Sequence, residues 1–193
     1  AFNITRVELL GYEADDLIAT YANFFDKKKW SIEIVSSDKD LMQLVNRNIT
    51  MRDPIKNKVI GKEEVFEKFG VYPEKVIDVQ SLAGDSVDNI PGAPGIGIKT
   101  AASLVNEFGS LENILNNYIK IRQNKRRETI ENNIKNIQIS KKLVTLKSDI
   151  DIEIDLEKIS DTAFNKSSLS EFFEKYGFNN LQSKIESSNN KLR

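Results

Sequence analysis

Residues 82–104 read LAGDSVDNIPGAPGIGIKTAASL. Four of the nine glycines and two of the four prolines of the chain fall in this stretch, so it reads as a shaped turn rather than a regular element. Apolar residues flank it at helical spacing: Leu82 and Ala83 before, Ala101, Ala102, Leu104 and Val105 after, with Ile90 and Ile96 inside. Two helices joined by such a turn make a helix–hairpin–helix, a unit that grips the DNA backbone without reading bases. Gly95 and Gly97 let main chain approach a phosphate closely, and a helix opening near Lys99 offers free N–H groups to an anion. Lys99 adds charge and Thr100 a hydroxyl donor. The stretch is not a Walker loop, because Ile98 separates Gly97 from Lys99.

Asp85 and Asp88 stand three apart at the front of the same stretch, and two further acidic groups precede them. GYEADDLIAT, residues 11–20, carries Glu13, Asp15 and Asp16 at an expected helix start; SSDKD, residues 36–40, places Asp38 and Asp40 just past a hydrophobic strand. Acids at helix starts also cap N–H groups and favour the macrodipole. Those roles do not explain the recurrence at strand and helix exits, which in an open α/β sheet face the ligand crevice. Two carboxylates about 4 Å apart repel by about 4 kcal/mol at an effective dielectric near 20. Seven sharing one cleft therefore call for cations. The chain has no histidine and no cysteine, which excludes a Ser-His-Asp triad, His-ligated zinc and thiolate sites. An all-oxygen site suits two hard ions, Mg²⁺ or Mn²⁺, spaced for phosphodiester cleavage.

The rest of the 193 residues supplies a frame for these groups. A hydrophobic content of 39% supports a core, and a net charge of −1 leaves basic patches as local features only. Two such patches are Lys125-Arg126-Arg127 and Lys141-Lys142. No apolar run approaches the roughly 18 residues of a membrane span, and the first residues form no signal-peptide core. The first residue is Ala1, so the chain reads as a processed product or a piece of a longer one. The pattern predicts a strand at 4–9, a helix at 12–26, a strand at 30–38, a short helix at 38–45 and a hairpin at 48–61. Helices follow at 62–69, 73–82, 99–108, 111–117 and a long one at about 125–147. An extended segment at 150–156, a helical pair at 167–176 and 179–187 and a polar tail close the chain. This is an α/β unit with a partly parallel sheet, followed by a mainly helical part.

The acid clusters and PGIGIKTA together resemble the 5′-nuclease family, and within it the 5′→3′ exonuclease domain of bacterial DNA polymerase I, related to flap endonucleases. GYEADDLIAT, SSDKDLMQLV and LAGDSVDNIPGAPGIGIKTAASLVNEFGSLENIL look like that domain's motifs in order and spacing. The resemblance implies a PIN-like nuclease core over 1–82 and a helix–hairpin–helix arm with closing helices over 83–193. It implies metal roles for Glu13, Asp15, Asp16, Asp38, Asp40, Asp85 and Asp88, with Asp15, Asp16, Asp38 and Asp40 catalytic. It implies DNA contacts from Gly95, Gly97, Lys99 and Thr100, K⁺ at the loop, duplex DNA with a nick or 5′ flap as partner, and work beside the nucleoid in the bacterial cytoplasm. Relative to the family, a preceding segment with two more ligand aspartates and a helical arch is expected outside this chain, and polymerase domains beyond it. The chain by itself is then expected to turn over poorly, the alternative being a non-catalytic module that binds duplex DNA without sequence preference.

Overall fold

The computed structural model describes residues 2, 4–160 and 165–188. Two compact units are present: Leu9–Ile150, and Ala1–Glu8 together with Asp151–Arg193.

In the larger unit, helix α1 (Ala14–Lys27) buries Leu17, Ala19, Thr20 and Ala22 and ends on Lys27, whose charge suits a helix C-terminus. Strand β1 (Ile32–Val35) pairs in parallel with β2 (Ile49–Asp53), with Ile32 opposite Ile49 and Val35 opposite Arg52. β2 turns back antiparallel onto β3 (Lys58–Ile60), giving a three-stranded mixed sheet in the order β1-β2-β3. Between β1 and β2 lies a 3₁₀ turn, Asp40–Leu44. Helix α2 (Lys62–Phe69) starts where the Glu64 carboxylate accepts the Gly61 N–H at 2.8 Å, and stops at Gly70.

Pro73 opens a 3₁₀ turn that leads into α3 (Val76–Ala83). α3 packs against α4 (Ile98–Phe108) and against α7 (Ile134–Val144), and is the centre of the helical part. Helices α5 (Leu111–Asn116) and α6 (Asn124–Asn132) lie between those two in sequence. Phe69, Leu82, Leu111, Ile114, Ile130 and Ile137 are among the fully buried side chains of one continuous core. In the smaller unit, helices α8 (Leu156–Ser160), α9 (Lys166–Tyr176) and α10 (Asn179–Ser188) follow. The Asn165 side chain caps α9 by accepting the Ser168 N–H at 3.1 Å, and Phe173 is buried against Phe2 and Phe178.

Three expectations are corrected. Residues 4–9 form no strand: alternation provides two faces, but a strand needs a neighbour's hydrogen-bond ladder. Ile4 and Leu10 stand exposed there. The long helix at 125–147 is two helices broken at Asn133, whose backbone leaves the helical region and whose side chain donates to the Thr129 carbonyl at 2.8 Å. The chain leaves α7 after Val144, so 145–147 are not helical. The polar tail lies outside the described residues from 189 onward.

One buried carboxyl yields a pH-dependent expectation. Burial pushes Asp78 above the usual carboxylate range, although the Leu111 N–H works against the shift. A raised pKa means that the fold penalises the charged form. The penalty is complete above the folded pKa and gone below the ordinary value of about 3.9. Asp78→Asn keeps an acceptor for Leu111 and removes the charge. It is expected to raise the melting temperature near pH 7, with a gain that fades toward about pH 4. Thermal melts of both proteins across that range measure it.

Candidate metal centre and nucleic-acid interface

Three chain segments deliver acids to the end of the sheet where β1 exits. α1 brings Glu13 at its N-cap and Asp15 and Asp16 in its first turn. Past β1, the Ser36 hydroxyl accepts the Asp38 N–H at 3.0 Å, and the Asp38 carboxylate accepts the Asp40 N–H at 2.9 Å. This local bonding bends the chain into the 3₁₀ turn and sets both aspartates. Past α3, Asp85 and Ile90 exchange two backbone hydrogen bonds of 2.9 and 2.7 Å, closing a tight loop that carries Asp85 and Asp88.

The electrostatics tie these segments together. Burial pushes the Asp15 carboxyl up, and the charges of Asp38, Asp40, Glu13 and Asp16 add to that push. Burial also raises Asp40; a hydrogen bond from the Gln80 amide opposes the rise, and Asp38 and Asp88 reinforce it. Asp85 behaves oppositely: the Lys39 ammonium pairs with its Oδ2 and holds it below the usual range. Its Oδ1 accepts the Val87 N–H at 2.9 Å. Asp40 thus lies within reach of the fields of Asp15, Asp38 and Asp88, and Lys39 joins Asp85 to the same group.

One of the seven acids is placed differently: Asp16 turns its Oδ1 to the Lys147 N–H at 2.8 Å, fastening α1 to the segment after α7, whereas Glu13 is exposed like Asp38 and Asp88. Thr20 and Asn23 extend that fastening by donating to the Lys147 and Ser148 carbonyls at 3.2 and 2.9 Å. Among the described residues, no three carboxylates come close enough together to grip a bare ion. Local donors divert them: backbone N–H groups take oxygens of Asp16, Asp38 and Asp85.

The donor set nevertheless fits a hydrated hard cation. Gln80 is buried; its Nε2 donates to Asp40 Oδ1, while its Oε1 is buried with no hydrogen-bond partner. A buried acceptor left alone costs about 1–3 kcal/mol. Mg²⁺ keeps several of its waters and is commonly held through one or two carboxylates, so the all-oxygen set here suits it without three carboxylates closing on the bare ion. Sequence reading missed both Lys39 and Gln80. Lys39 was visible as a lone cation inside SSDKD, whereas nothing in the α3 sequence marks Gln80.

The turn between α3 and α4 is built from the inside. The Ala93 N–H donates to the Leu82 carbonyl at 2.8 Å, and the Gly92 N–H to the Ser140 hydroxyl at 2.8 Å. Gly84 and Gly92, both at positive φ, touch backbone to backbone, and a Cβ on Gly92 would stand 2.4 Å from the Gly84 nitrogen. The outer side is open. A Cβ on Gly95 or Gly97 would meet nothing within 4 Å. α4 has no side-chain cap, so the N–H groups of its first turn, with exposed Lys99 and half-buried Thr100, face outward at a helix N-terminus. The other basic patches are partly engaged: Lys141 pairs with Glu112, and Arg127 bonds Asn124.

Comparison with known proteins adds the family. Residues 1–70 match the 5′-3′ exonuclease N-terminal resolvase-like domain, and residues 71–167 the 5′-3′ exonuclease C-terminal SAM fold. A DNA polymerase I of Rhizobium leguminosarum is 52% identical over 82% of this chain, which spans 16% of that relative. A 5′-3′ exonuclease of Aquifex aeolicus is 44% identical over 84% of this chain, which spans 56% of it. A bacteriophage T5 flap endonuclease, solved as a pseudo-enzyme-product complex with DNA and metal ions, superposes with a TM-score of 0.67 at 22% identity. That match covers 72% of this chain and 52% of the T5 chain, and at this identity it speaks for the fold. Among the described residues no helix is long and apolar enough to cross a membrane.

Proposed function

We propose, because this chain belongs to the 5′-3′ exonuclease family, that it carries the acidic cleft and the duplex-gripping turn of a divalent-metal-dependent 5′→3′ DNA exonuclease and 5′-flap endonuclease. The observation that carries the reading is the joining of acid-bearing segments by side-chain contacts, Gln80 of α3 donating to Asp40 and Lys39 pairing with Asp85, with Asp15 of α1 close enough to feel the charges of Asp38 and Asp40. Residues 1–82 supply most of the cleft and residues 83–193 the arm. A place inside a longer DNA polymerase I belongs to the same proposal, as does K⁺ held by carbonyls of the 91–97 turn.

Asp15, Asp38, Asp40, Asp85 and Asp88 are the residues that would hold Mg²⁺ or Mn²⁺, with Glu13 and Asp16 at the margin. Bound there, such ions lower the pKa of a coordinated water and stabilise the attacking and leaving oxygens of a phosphodiester. The chain's own side chains do the rest. Gln80 holds the Asp40 carboxylate, the Asp38 carboxylate holds the Asp40 N–H, and the Asp85–Ile90 loop presents Asp85 and Asp88. The open N-terminus of α4 takes a backbone phosphate, which carries no base information, so the grip is independent of sequence.

Cleavage of a labelled 5′-flap duplex in Mg²⁺ or Mn²⁺, set beside binding of the same duplex in chelator, tests the proposal. Duplex that is bound and never cut would favour a second reading, DNA binding without catalysis. The diverted oxygens of Asp16, Asp38 and Asp85 are the observation on its side. Both readings share one expectation for the turn. Gly97→Ala meets open space and leaves the melting temperature unchanged, yet its methyl group stands in the path of a phosphate and weakens binding to a nicked duplex. Lys99→Glu weakens it further and lowers the steepness of the salt dependence by about one counterion. Fluorescence anisotropy over a salt series measures both, and unchanged affinity in Lys99→Glu at low salt would remove this turn from the interface.

A further inference from the structure

Lys39 is a lone cation set between Asp38 and Asp40 in sequence and turned toward Asp85 in space. Its ammonium forms an ion pair with Asp85 Oδ2 across 46 residues of chain. The charges of Asp40 and Asp88 act on it as well. Asp85 is nearly enclosed, with its side chain 8% exposed, whereas the Lys39 side chain is 35% exposed. The acid is therefore fixed and the base is the partner with room to leave. Asp85 is also tethered by its other oxygen to Val87 and by its backbone to Ile90, so only the Lys39 side can open. Lys39 brings one charge to a corner where Asp40, Asp85 and Asp88 all act on it, and a divalent ion brings two.

We propose that Lys39 is a resident counter-ion of the acidic cleft, a cation that a divalent metal must displace from Asp85 before it can be held there. This rests on the metal-dependent reading above and adds to it the residue that sets metal affinity. In the metal-free protein Lys39 relieves repulsion among Asp40, Asp85 and Asp88. It thereby stabilises the fold and screens the site from weakly binding ions. The same contact is lost when a divalent ion arrives, so Lys39 weakens metal binding by the strength of that ion pair. Its role is in positioning and selecting the ion.

The test uses the whole chain and Mn²⁺ as probe. Binding is followed by loss of the free-ion paramagnetic signal and by calorimetry, for wild type, Lys39→Met and Lys39→Arg, with Asp85→Asn as reference. Lys39→Met is expected to melt lower in chelator, to bind Mn²⁺ about two- to fivefold more tightly, the range that a part-exposed ion pair supports, and to gain more melting temperature from Mn²⁺ than wild type does. Lys39→Arg, which keeps the charge, is expected to bind Mn²⁺ like wild type. A purely structural lysine would lower stability and leave affinity equal or weaker in Lys39→Met, and that result overturns the proposal. If Lys39→Met does not fold, Lys39→Gln takes its place under the same criteria. Failure of wild type and Lys39→Met alike to bind Mn²⁺ overturns the metal reading and this inference together, whereas equal binding by both overturns this inference alone.

Discussion

Asp40→Asn is expected to reduce metal-dependent cleavage of a 5′-flap duplex by about a thousandfold or more while leaving binding of that duplex in chelator unchanged or slightly tighter. The substitution is chosen for what it keeps. An asparagine oxygen still accepts from Gln80 Nε2, and its backbone N–H still reaches Asp38, so the turn retains its shape. Only the charge goes. Asp40 sits where the fields of Asp15, Asp38 and Asp88 overlap, so it is the carboxylate most central to any ion in the cleft. Charge stabilisation by such ions is worth several kcal/mol of barrier, and each 1.36 kcal/mol is about tenfold in rate. Duplex binding depends on the N-terminus of α4 and loses nothing when one negative charge is removed. Single-turnover cleavage in Mn²⁺ with parallel anisotropy measures both quantities; retention of cleavage within about tenfold would take Asp40 out of the catalytic set.

Gly92→Ala is expected to have the largest effect on stability of any single methyl group added to the turn. Two costs add. Gly92 has φ 55°, a left-handed backbone that costs an alanine about 1–2 kcal/mol. The new Cβ would also lie 2.4 Å from the Gly84 nitrogen and 2.7 Å from the Gly84 Cα, both backbone atoms that no rotamer change can move. Overpacking of this kind costs typically about 1–3 kcal/mol. Together they predict about 2–5 kcal/mol, or roughly 5–15 °C in melting temperature at this chain length. Part of the loss would appear as a displaced Ser140, whose hydroxyl accepts from the Gly92 N–H. Paired thermal melts of Gly92→Ala and Gly97→Ala measure the contrast, and similar melting temperatures for the two would show that the Gly84–Gly92 contact can relax.

The acids and the turn were legible because each is local. Glu13, Asp15 and Asp16 precede a run with clean helical spacing; Asp38 and Asp40 follow a strand; Gly95 and Gly97 sit where a turn must become a helix. The hairpin at 48–61 and the helix at 62–69 were readable for the same reason. What stayed hidden depends on partners far along the chain. Lys39 reaches Asp85, and Gln80 reaches Asp40, only after α3 has packed beside the 3₁₀ turn. Asp16 resembled its neighbours in sequence, and only the return of Lys147 to α1 gives it a different partner. The break at Asn133 was masked by Ile130, Ile134 and Ile137, whose spacing continues straight through it. Residues 4–9 misled in the opposite way, since alternation reports two faces and says nothing of a neighbouring strand.

Gln43 spends its whole amide on one seam: Nε2 donates to the Asp40 and Val144 carbonyls at 2.8 and 2.9 Å, and Oε1 accepts the Leu146 N–H at 3.1 Å. Asp16, Thr20 and Asn23 close the next residues of that seam. Leu146, Lys147 and Ser148, just beyond the last turn of α7, are thus stitched to the two segments that carry the first five acids. A helix end normally frays by itself, at almost no cost in free energy. Here the end of α7 cannot loosen without unstitching the Asp40 turn and the first turns of α1. The protection of the Leu146 and Lys147 amides against solvent hydrogen exchange is accordingly a property of the acidic cleft, and whatever tightens the cleft slows exchange at both.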